Sequence, residues 1–165
     1  MDKANILIIG GGIGGLTAAI ALRRHGFAVE VIEKDPDWSV YGVGIIQQAN
    51  VIRAIADLGI LDTYLAAGVS FDAVEIFAPN GVRVASVPSP RLAEGYPPCA
   101  GIGRPALHRV LGNAVLEAGA TVRLGITADR MTDDGAAVHV RFSDGGEGRY
   151  DIVIGADGVY SQTRQ

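Results

Sequence analysis

Cysteine is almost missing from this 165-residue sequence: Cys99 stands alone, so no internal disulfide can form and a cysteine-rich metal site is excluded. Cys99 is expected to be a semi-buried thiol, because free cysteine behaves mostly as a small hydrophobe. No apolar run approaches the length of a membrane span, so no membrane partner is expected. There is no Lys/Arg cluster either, and with a net charge of −4 the composition argues against a nucleic-acid binder held by phosphate contacts. His25, His108 and His139 have no ligand neighbour at useful spacing, so a structural or surface role is expected of each and no metal site. Internal repeats and low-complexity tracts are absent. Met1-Asp2-Lys3-Ala4-Asn5 enters an apolar strand directly, which leaves no room for a secretory signal and makes a cytoplasmic protein the expectation.

Hydrophobic residues make up 48% and charged residues 19%, which fits a globular domain with a real core. The informative feature is a run of glycines between an apolar strand and a helix. Ile6-Leu7-Ile8-Ile9 precedes Gly10-Gly11-Gly12-Ile13-Gly14-Gly15, and Leu16 to Leu22 follow. Gly10, Gly12 and Gly15 thereby fall in the G-x-G-x-x-G register of a dinucleotide fingerprint. Gly10 allows the tight turn, Gly12 lets backbone amides approach a diphosphate, and Gly15 lets helix and strand pack closely. The helix N-terminus adds unpaired N–H donors and a partial positive charge. Glu33 ends the second strand, Ala28-Val29-Glu30-Val31-Ile32-Glu33, about 20 residues beyond the glycines, where a carboxylate can accept ribose hydroxyls. Its charge disfavours a 2′-phosphate, so the tightly held nucleotide is expected to be FAD or NAD and not NADP.

Farther along, the polar segment Lys34 to Trp38 reads as a turn, and Tyr41-Gly42-Val43-Gly44-Ile45 as a glycine-spaced stretch. Val51, Ile55 and Leu58 mark a helix stopped by Gly59, and Leu61 to Leu65 a further helical turn. Val74 to Phe77 and Val82 to Ala85 flank Pro79-Asn80-Gly81, a hairpin signal. Residues 86–100 read as loop. A second clear helix opens at Gly103-Arg104-Pro105 and ends near Gly119, with Leu107, Leu111, Ala114 and Ala118 on its apolar face. Thr121 to Leu124 and Ala137 to Phe142 read as strands, and Asp144-Gly145-Gly146 as a turn. Tyr150 to Gly155 reads as one buried strand. Arg104 sits at a helix start, an unfavourable place for a cation unless an anionic partner is present. Asp157 follows the C-terminal end of a strand, the edge where open α/β sheets bind ligands.

Ile152-Val153-Ile154-Gly155-Ala156-Asp157-Gly158, with Ser161 and Arg164 after it, together with the glycine fingerprint resembles the FAD-dependent aromatic hydroxylases. These are single-component flavoprotein monooxygenases of the p-hydroxybenzoate and salicylate hydroxylase type. The resemblance runs through the chain: Tyr41 to Ile46 followed by Asn50 resembles the loop beside the flavin, Ala54 to Ile60 a helix ending in Leu-Gly-Leu, and Arg104-Pro105-Ala106-Leu107 the segment whose arginine reaches the FAD phosphates or ribitol. Gln47-Gln48-Ala49-Asn50 departs from the proline that many relatives carry before the asparagine. It implies an α/β fold: a Rossmann-like FAD-binding domain, a parallel sheet with a β-meander, over 1–70 and 101–165, and the first hairpin and loop of a substrate domain over 71–100. The implied cofactor contacts are Gly10, Gly12, Ile13, Gly14, Gly15, Glu33, Lys34, Gly44, Ile45, Arg104, Asp157 and Gly158. No catalytic residue is assigned.

The resemblance further implies NAD(P)H as a transient reductant, oxygen transfer from a flavin C4a-hydroperoxide, and a small aromatic substrate. Family members continue for roughly as many residues again, so the sequence is expected to be the N-terminal portion of such an enzyme. Two hairpin strands cannot roof a flavin alone. The chain by itself is therefore expected to bind FAD and to hydroxylate nothing. A non-catalytic FAD-binding module that dimerises or needs another chain, and a flavin-dependent NAD(P)H reductase, remain as alternatives.

Overall fold

Asn5–Ile9 forms the first strand, β1, because four consecutive apolar side chains find cover on both faces of a sheet. Ile6, Leu7, Ile8 and Ile9 are all buried, as in a central parallel strand. The protein is described here by a computed structural model covering residues 3–92 and 94–164. After β1 come α1 (Ile13–Arg24), β2 (Ala28–Glu33), β3 (Gly44–Gln48), α2 (Ala49–Asp57) and α3 (Leu61–Ala66). Then follow β4 (Val69–Phe71), β5 (Ala73–Phe77), β6 (Arg83–Pro88), β7 (Cys99–Gly103) and α4 (Arg104–Glu117). The chain closes with β8 (Thr121–Leu124), β9 (Ala128–Asp133), β10 (Val138–Phe142), β11 (Glu147–Tyr150) and β12 (Ile152–Gly155).

These elements group into two compact units, Met1–Val40 with Leu111–Gln165, and Tyr41–Val110. The first unit contains an all-parallel sheet of order β12-β1-β2-β8, in which Ile6 lies beside both Val29 and Ile152. It also contains the antiparallel meander β11-β10-β9. Leu7, Ile9 and Ile32 of the parallel sheet pack with Val140, Phe142 and Tyr150 of the meander in one apolar cluster. Each such buried side chain contributes roughly 1.5–3 kcal/mol relative to exposure. On α1, Gly15, Leu16, Ala19 and Ile20 are buried, and the helix stops at Gly26 with φ +80°. The guanidinium of Arg23, in the last turn of α1, donates to the carbonyls of Phe27 and Ala118.

A polar network secures the meander. Arg123 of β8 donates to Glu30 of β2 at 2.9 Å and to Asp144 at 2.8 Å, while the Tyr150 hydroxyl donates to the other oxygen of Glu30 at 2.7 Å. The guanidinium also lies 4.5 Å from the centre of the Phe142 ring. Burial first, then the Glu30 carboxylate, pushes the Tyr150 phenol well above its usual range.

In the second unit β3, β7 and β4 form an antiparallel sheet of order β3-β7-β4, and β5 pairs with β6 as an isolated hairpin. Ile52, Ile55, Tyr64, Cys99, Ala100 and Ile102 are buried. Burial pushes the Tyr64 phenol up to about 12, and its hydroxyl donates to Gln47. The expected Asn80-Gly81 turn closes the hairpin, with Gly81 at φ +81° and its amide donating to Ala78. β3, β4 and β7 lie in stretches that read from sequence as loop or went unread. Cys99-Ala100-Gly101-Ile102-Gly103 carries two glycines and no alternation, so its strand character comes from its partners, Gly44–Gln48 and Val69–Phe71. β6 also runs past the expected loop start at 86, to Pro88. The expected single strand from 150 to 155 is two: Asp151 interrupts it, its amide donating to the Asn5 carbonyl. On α4, Leu107, Val110, Leu111 and Val115 are buried.

Candidate functional site

A groove of about 470 Å³ opens in the first unit along the C-terminal ends of the parallel strands. Four stretches line it: the glycine turn through Gly10 and Gly12, the end of β2 with Glu33 and Lys34, the segment 126–131, and the segment after β12 with Asp157, Gly158 and Thr163. The place follows from topology. β1 leads through α1 to β2 on one side, whereas β12 returns to the other side of β1, so the loops after β1 and β12 diverge from neighbouring strand ends and leave a crevice.

The glycines differ in what their surroundings tolerate. Gly10 sits at φ +112°, and a Cβ there would stand 2.4 Å from the Ala156 carbonyl oxygen. A Cβ on Gly15 would lie 1.9 Å from the Gly10 carbonyl oxygen and 3.3 Å from Ile8 Cγ2, so turn, strand and helix are packed backbone to backbone there. Around Gly12 and Gly14 nothing of the chain lies within 4 Å of such a carbon. Gly12 is the N-cap of α1, with no side chain capping the helix, and no acidic residue stands in its first turn. Its amides therefore meet open space, as an anion cradle requires. Ile13 and Gly14 form that first turn.

Glu33 does two jobs at the end of β2. One carboxylate oxygen accepts from the Gly11 amide at 2.8 Å and the other from the Asp35 amide at 2.9 Å. Each oxygen retains a further acceptor site. Lys34 is exposed on the groove lining.

Asp157 is held by the segment that follows it. Its Oδ2 accepts from the Gln162 amide at 2.8 Å and from the Thr163 amide and hydroxyl, each at 3.0 Å. Thr163 folds back so closely that a Cβ on Gly155 would lie 2.7 Å from it. Burial pushes the Asp157 carboxyl up, but the Ser161 side chain beside it and the hydrogen bonds from Thr163 outweigh it and hold the group well below the usual carboxylate range. Oδ1 is shielded from solvent and has no hydrogen-bond partner among the described residues. A buried ionised oxygen without a donor is costly, so the site is built for a donor brought by a ligand. An uncapped glycine cradle and an acceptor awaiting a hydroxyl fit a dinucleotide's diphosphate and its polyol.

Gly44, Ile45 and Arg104 lie in the second unit and come together there. Gly44 pairs with Gly103 and Ile45 with Ile102, the Arg104 amide donates to Val43, and a Cβ on Gly42 would lie 2.9 Å from Arg104 Cδ. Arg104 opens α4, is exposed, and has no ion-pair partner among the described residues. Of the histidines, His108 is buried on α4, His25 is the exposed C-cap of α1, and His139 pairs with Asp134 at 2.7 Å. Among the described residues no group of three or more His, Cys, Asp or Glu is arranged for a metal. Nor is any helix among them long and apolar enough to cross a membrane.

Three groove features were not read from the sequence. Residues 126–131 line it, yet as a polar stretch between two strands they carry no motif. Gln162 and Thr163 support Asp157 through backbone amides, which no side-chain pattern announces. Trp38 donates its indole N–H to the Gly11 carbonyl at 2.9 Å, and a lone tryptophan in a turn reads only as a turn residue.

Comparison with known proteins matches this architecture. Residues 3–165 match the family model described as FAD binding domain. Aurachin C monooxygenase/isomerase of Stigmatella aurantiaca is 37% identical over 164 residues, covering 96% of this chain and 41% of that protein. The 3-amino-4-hydroxybenzoate 2-monooxygenase of Streptomyces cremeus is 37% identical over 163 residues, with 97% and 41% covered. Among solved structures, CtdE in complex with FAD and a substrate superposes with a TM-score of 0.82 at 26% identity, covering 98% of this chain and 39% of that one. The chain thus spans about two fifths of the length of the curated relatives it matches. With its parallel sheet, its meander and its match from residue 3 to residue 165, it belongs to the FAD binding domain family.

Proposed function

We propose that the groove between the glycine turn and the Asp157 segment holds FAD, and that the chain is the FAD-binding portion of a monooxygenase acting on a small aromatic molecule. The observation that carries this reading is Asp157, which lines the same groove as Gly10 and Gly12 and whose Oδ1 is without a donor among the described residues. On this reading the amides at Gly12, Ile13 and Gly14 bind the diphosphate, and Gly10 and Gly15 keep the turn tight enough to present them. Glu33 accepts the adenosine ribose hydroxyls through its remaining lone pairs and repels a 2′-phosphate, with Lys34 beside it. Asp157 accepts a ribitol hydroxyl, and Gly158, at φ +81°, turns the chain away from the ligand. Gly44, Ile45 and Arg104 are assigned to cofactor contact by the family resemblance, with Arg104 reaching the FAD phosphates or ribitol. Residues 71–100 are assigned to a substrate domain on the same basis.

FAD bound in this way would supply oxygen activation after reduction by NAD(P)H, by the route the resemblance implies. The chain's own residues bind, orient and hold charge. Nothing in their chemistry calls for nucleic acid, and a cytoplasmic location fits use of a soluble nicotinamide nucleotide. The test is an absorbance spectrum of the protein after incubation with FAD and desalting. A flavin band at one equivalent supports the reading, and a colourless protein contradicts it. Oxygen uptake with NADH or NADPH by the complete enzyme of which this chain is the FAD-binding portion then separates a monooxygenase, which forms hydroxylated product, from a reductase, which forms only peroxide.

For the alternative, an FAD-binding module that dimerises, a homodimer is proposed from a separate observation. Among the described residues β5 and β6 pair only with each other, and Val74, Ile76 and Val87, on one face of the hairpin, are 50%, 46% and 50% exposed. A second copy covering that face would bury them. A dimer mass in solution that Val87→Lys converts to a monomer supports it; a monomer at all concentrations contradicts it.

A further inference from the structure

The reading of the glycine turn as a diphosphate cradle leaves open what fixes the direction in which its amides point. Gly11 and Gly12 share one peptide unit, and a glycine on each side makes that unit easy to flip, since neither residue opposes it with a side chain. The unit is planar and trans, so whatever holds the Gly11 carbonyl also sets the direction of the Gly12 N–H, which points the opposite way. The group that holds this carbonyl is the indole N–H of Trp38, at 2.9 Å.

Trp38 is itself braced. It stands at φ +49°, the one non-glycine residue among those described with a positive φ, a costly conformation that persists only where the surroundings impose it. The Asp35 carboxylate imposes it by accepting from the Asp37 amide at 3.0 Å and the Ser39 amide at 2.9 Å. Those two amides hold the Asp35 carboxyl below its usual range. Asp35 is tied in turn through its own amide to Glu33, whose other oxygen takes the Gly11 amide. Against the far edge of the indole lies α4: a Cβ on Gly112 would touch the ring at 3.4 Å. The Gly11 residue is thus gripped at its N–H by Glu33 and at its C=O by Trp38, both supplied by the end of β2 and the turn after it.

We infer that Trp38 is a positioning residue for the dinucleotide site: its indole N–H locks the Gly11–Gly12 peptide in the orientation that turns the Gly12 amide toward the ligand's diphosphate. The inference rests on the FAD reading above, and the experiment separates the two. FAD and ADP are titrated into the protein and into its Trp38→Phe variant, which keeps an aromatic ring and removes the donor. Amide exchange at Gly11 to Gly15 is followed in both proteins without ligand. Expected are binding of both ligands by the unsubstituted protein, affinity lower by about tenfold in the variant, the size of one lost hydrogen bond, and faster exchange at Gly11, whose amide donates to Glu33.

Equal affinity in the two proteins overturns the positioning role and leaves the FAD reading standing. Loss of affinity in step with global stability, without faster exchange at Gly11, reduces Trp38 to a structural residue and likewise overturns it. Absence of binding by the unsubstituted protein overturns both. Should Trp38→Phe not fold, the same question is put to the unsubstituted chain through the indole proton of its single tryptophan. Protection from exchange in the free protein and a shifted resonance on adding ADP support the role, whereas exchange at the solvent rate contradicts it.

Discussion

Gly10 and Ala156 are so close that a single methyl on the first would sit 2.4 Å from the carbonyl oxygen of the second. The contact joins two stretches separated by almost the whole sequence. It arises because β1 and β12 are parallel neighbours, with Ile9 beside Gly155 and the Ala156 amide donating to the Ile9 carbonyl. The glycine turn and the Asp157 segment therefore leave the sheet side by side. The proposed grips on diphosphate and polyol depend on that adjacency.

The glycines should separate stability from binding. Gly15→Ala drives a methyl into the Gly10 carbonyl and is expected to cost about 3 kcal/mol of folding stability, the upper range for overpacking. Gly12→Ala, at φ −79° with open space around it, is expected to change stability by less than about 1 kcal/mol while obstructing FAD. Urea unfolding beside FAD titration of the two variants checks the split.

The network under the meander should be structural alone. Tyr150→Phe keeps the buried ring and removes the hydroxyl that donates to Glu30, so a loss of about 1.5 kcal/mol is expected, with FAD affinity unchanged. Denaturation with the flavin titration as control measures both. A change in FAD affinity as large as that of Gly12→Ala would tie the meander to the site.

Acid should weaken the fold in a defined window. The His139 ring, then the amides of Ala136 and Ala137, lower the Asp134 carboxyl to about 2 from an ordinary value of 3.8. Asp157 is held below the usual range as well. Between the ordinary value and the lowered one the unfolded chain binds protons that the folded chain does not. The stability these groups contribute is thus complete above pH ~4 and lost as pH falls toward ~2. Asp134→Asn should flatten that part of the stability curve, and thermal melts from pH 5 to 2 on both proteins check it.

Local rules made half the site legible. G-x-G-x-x-G, the following helix and Glu33 lie within one βαβ unit, where strand period and glycine spacing speak directly. Asp157 was legible from its place after a strand's C-terminal end and from a family resemblance, but its pairing with Gly10 was not, because that depends on β12 returning beside β1, a contact that no local pattern encodes. β7 and β9 escaped for a related reason. Cys99–Gly103 is glycine-rich and Ala128–Asp133 largely polar, so their strands are set by cross-strand partners and not by periodicity. Trp38 escaped because its role lies in one indole proton and a backbone angle, neither of which is visible in composition.

The central claim, that both stretches grip one ligand, is tested most directly by backbone amide NMR of the protein titrated with FAD. The account predicts that the amides of Gly12, Ile13 and Gly14 and those of Asp157 and Gly158 shift together, saturating at one equivalent with a common affinity. Shifts at one stretch that leave the other unmoved, or two different affinities, would contradict it.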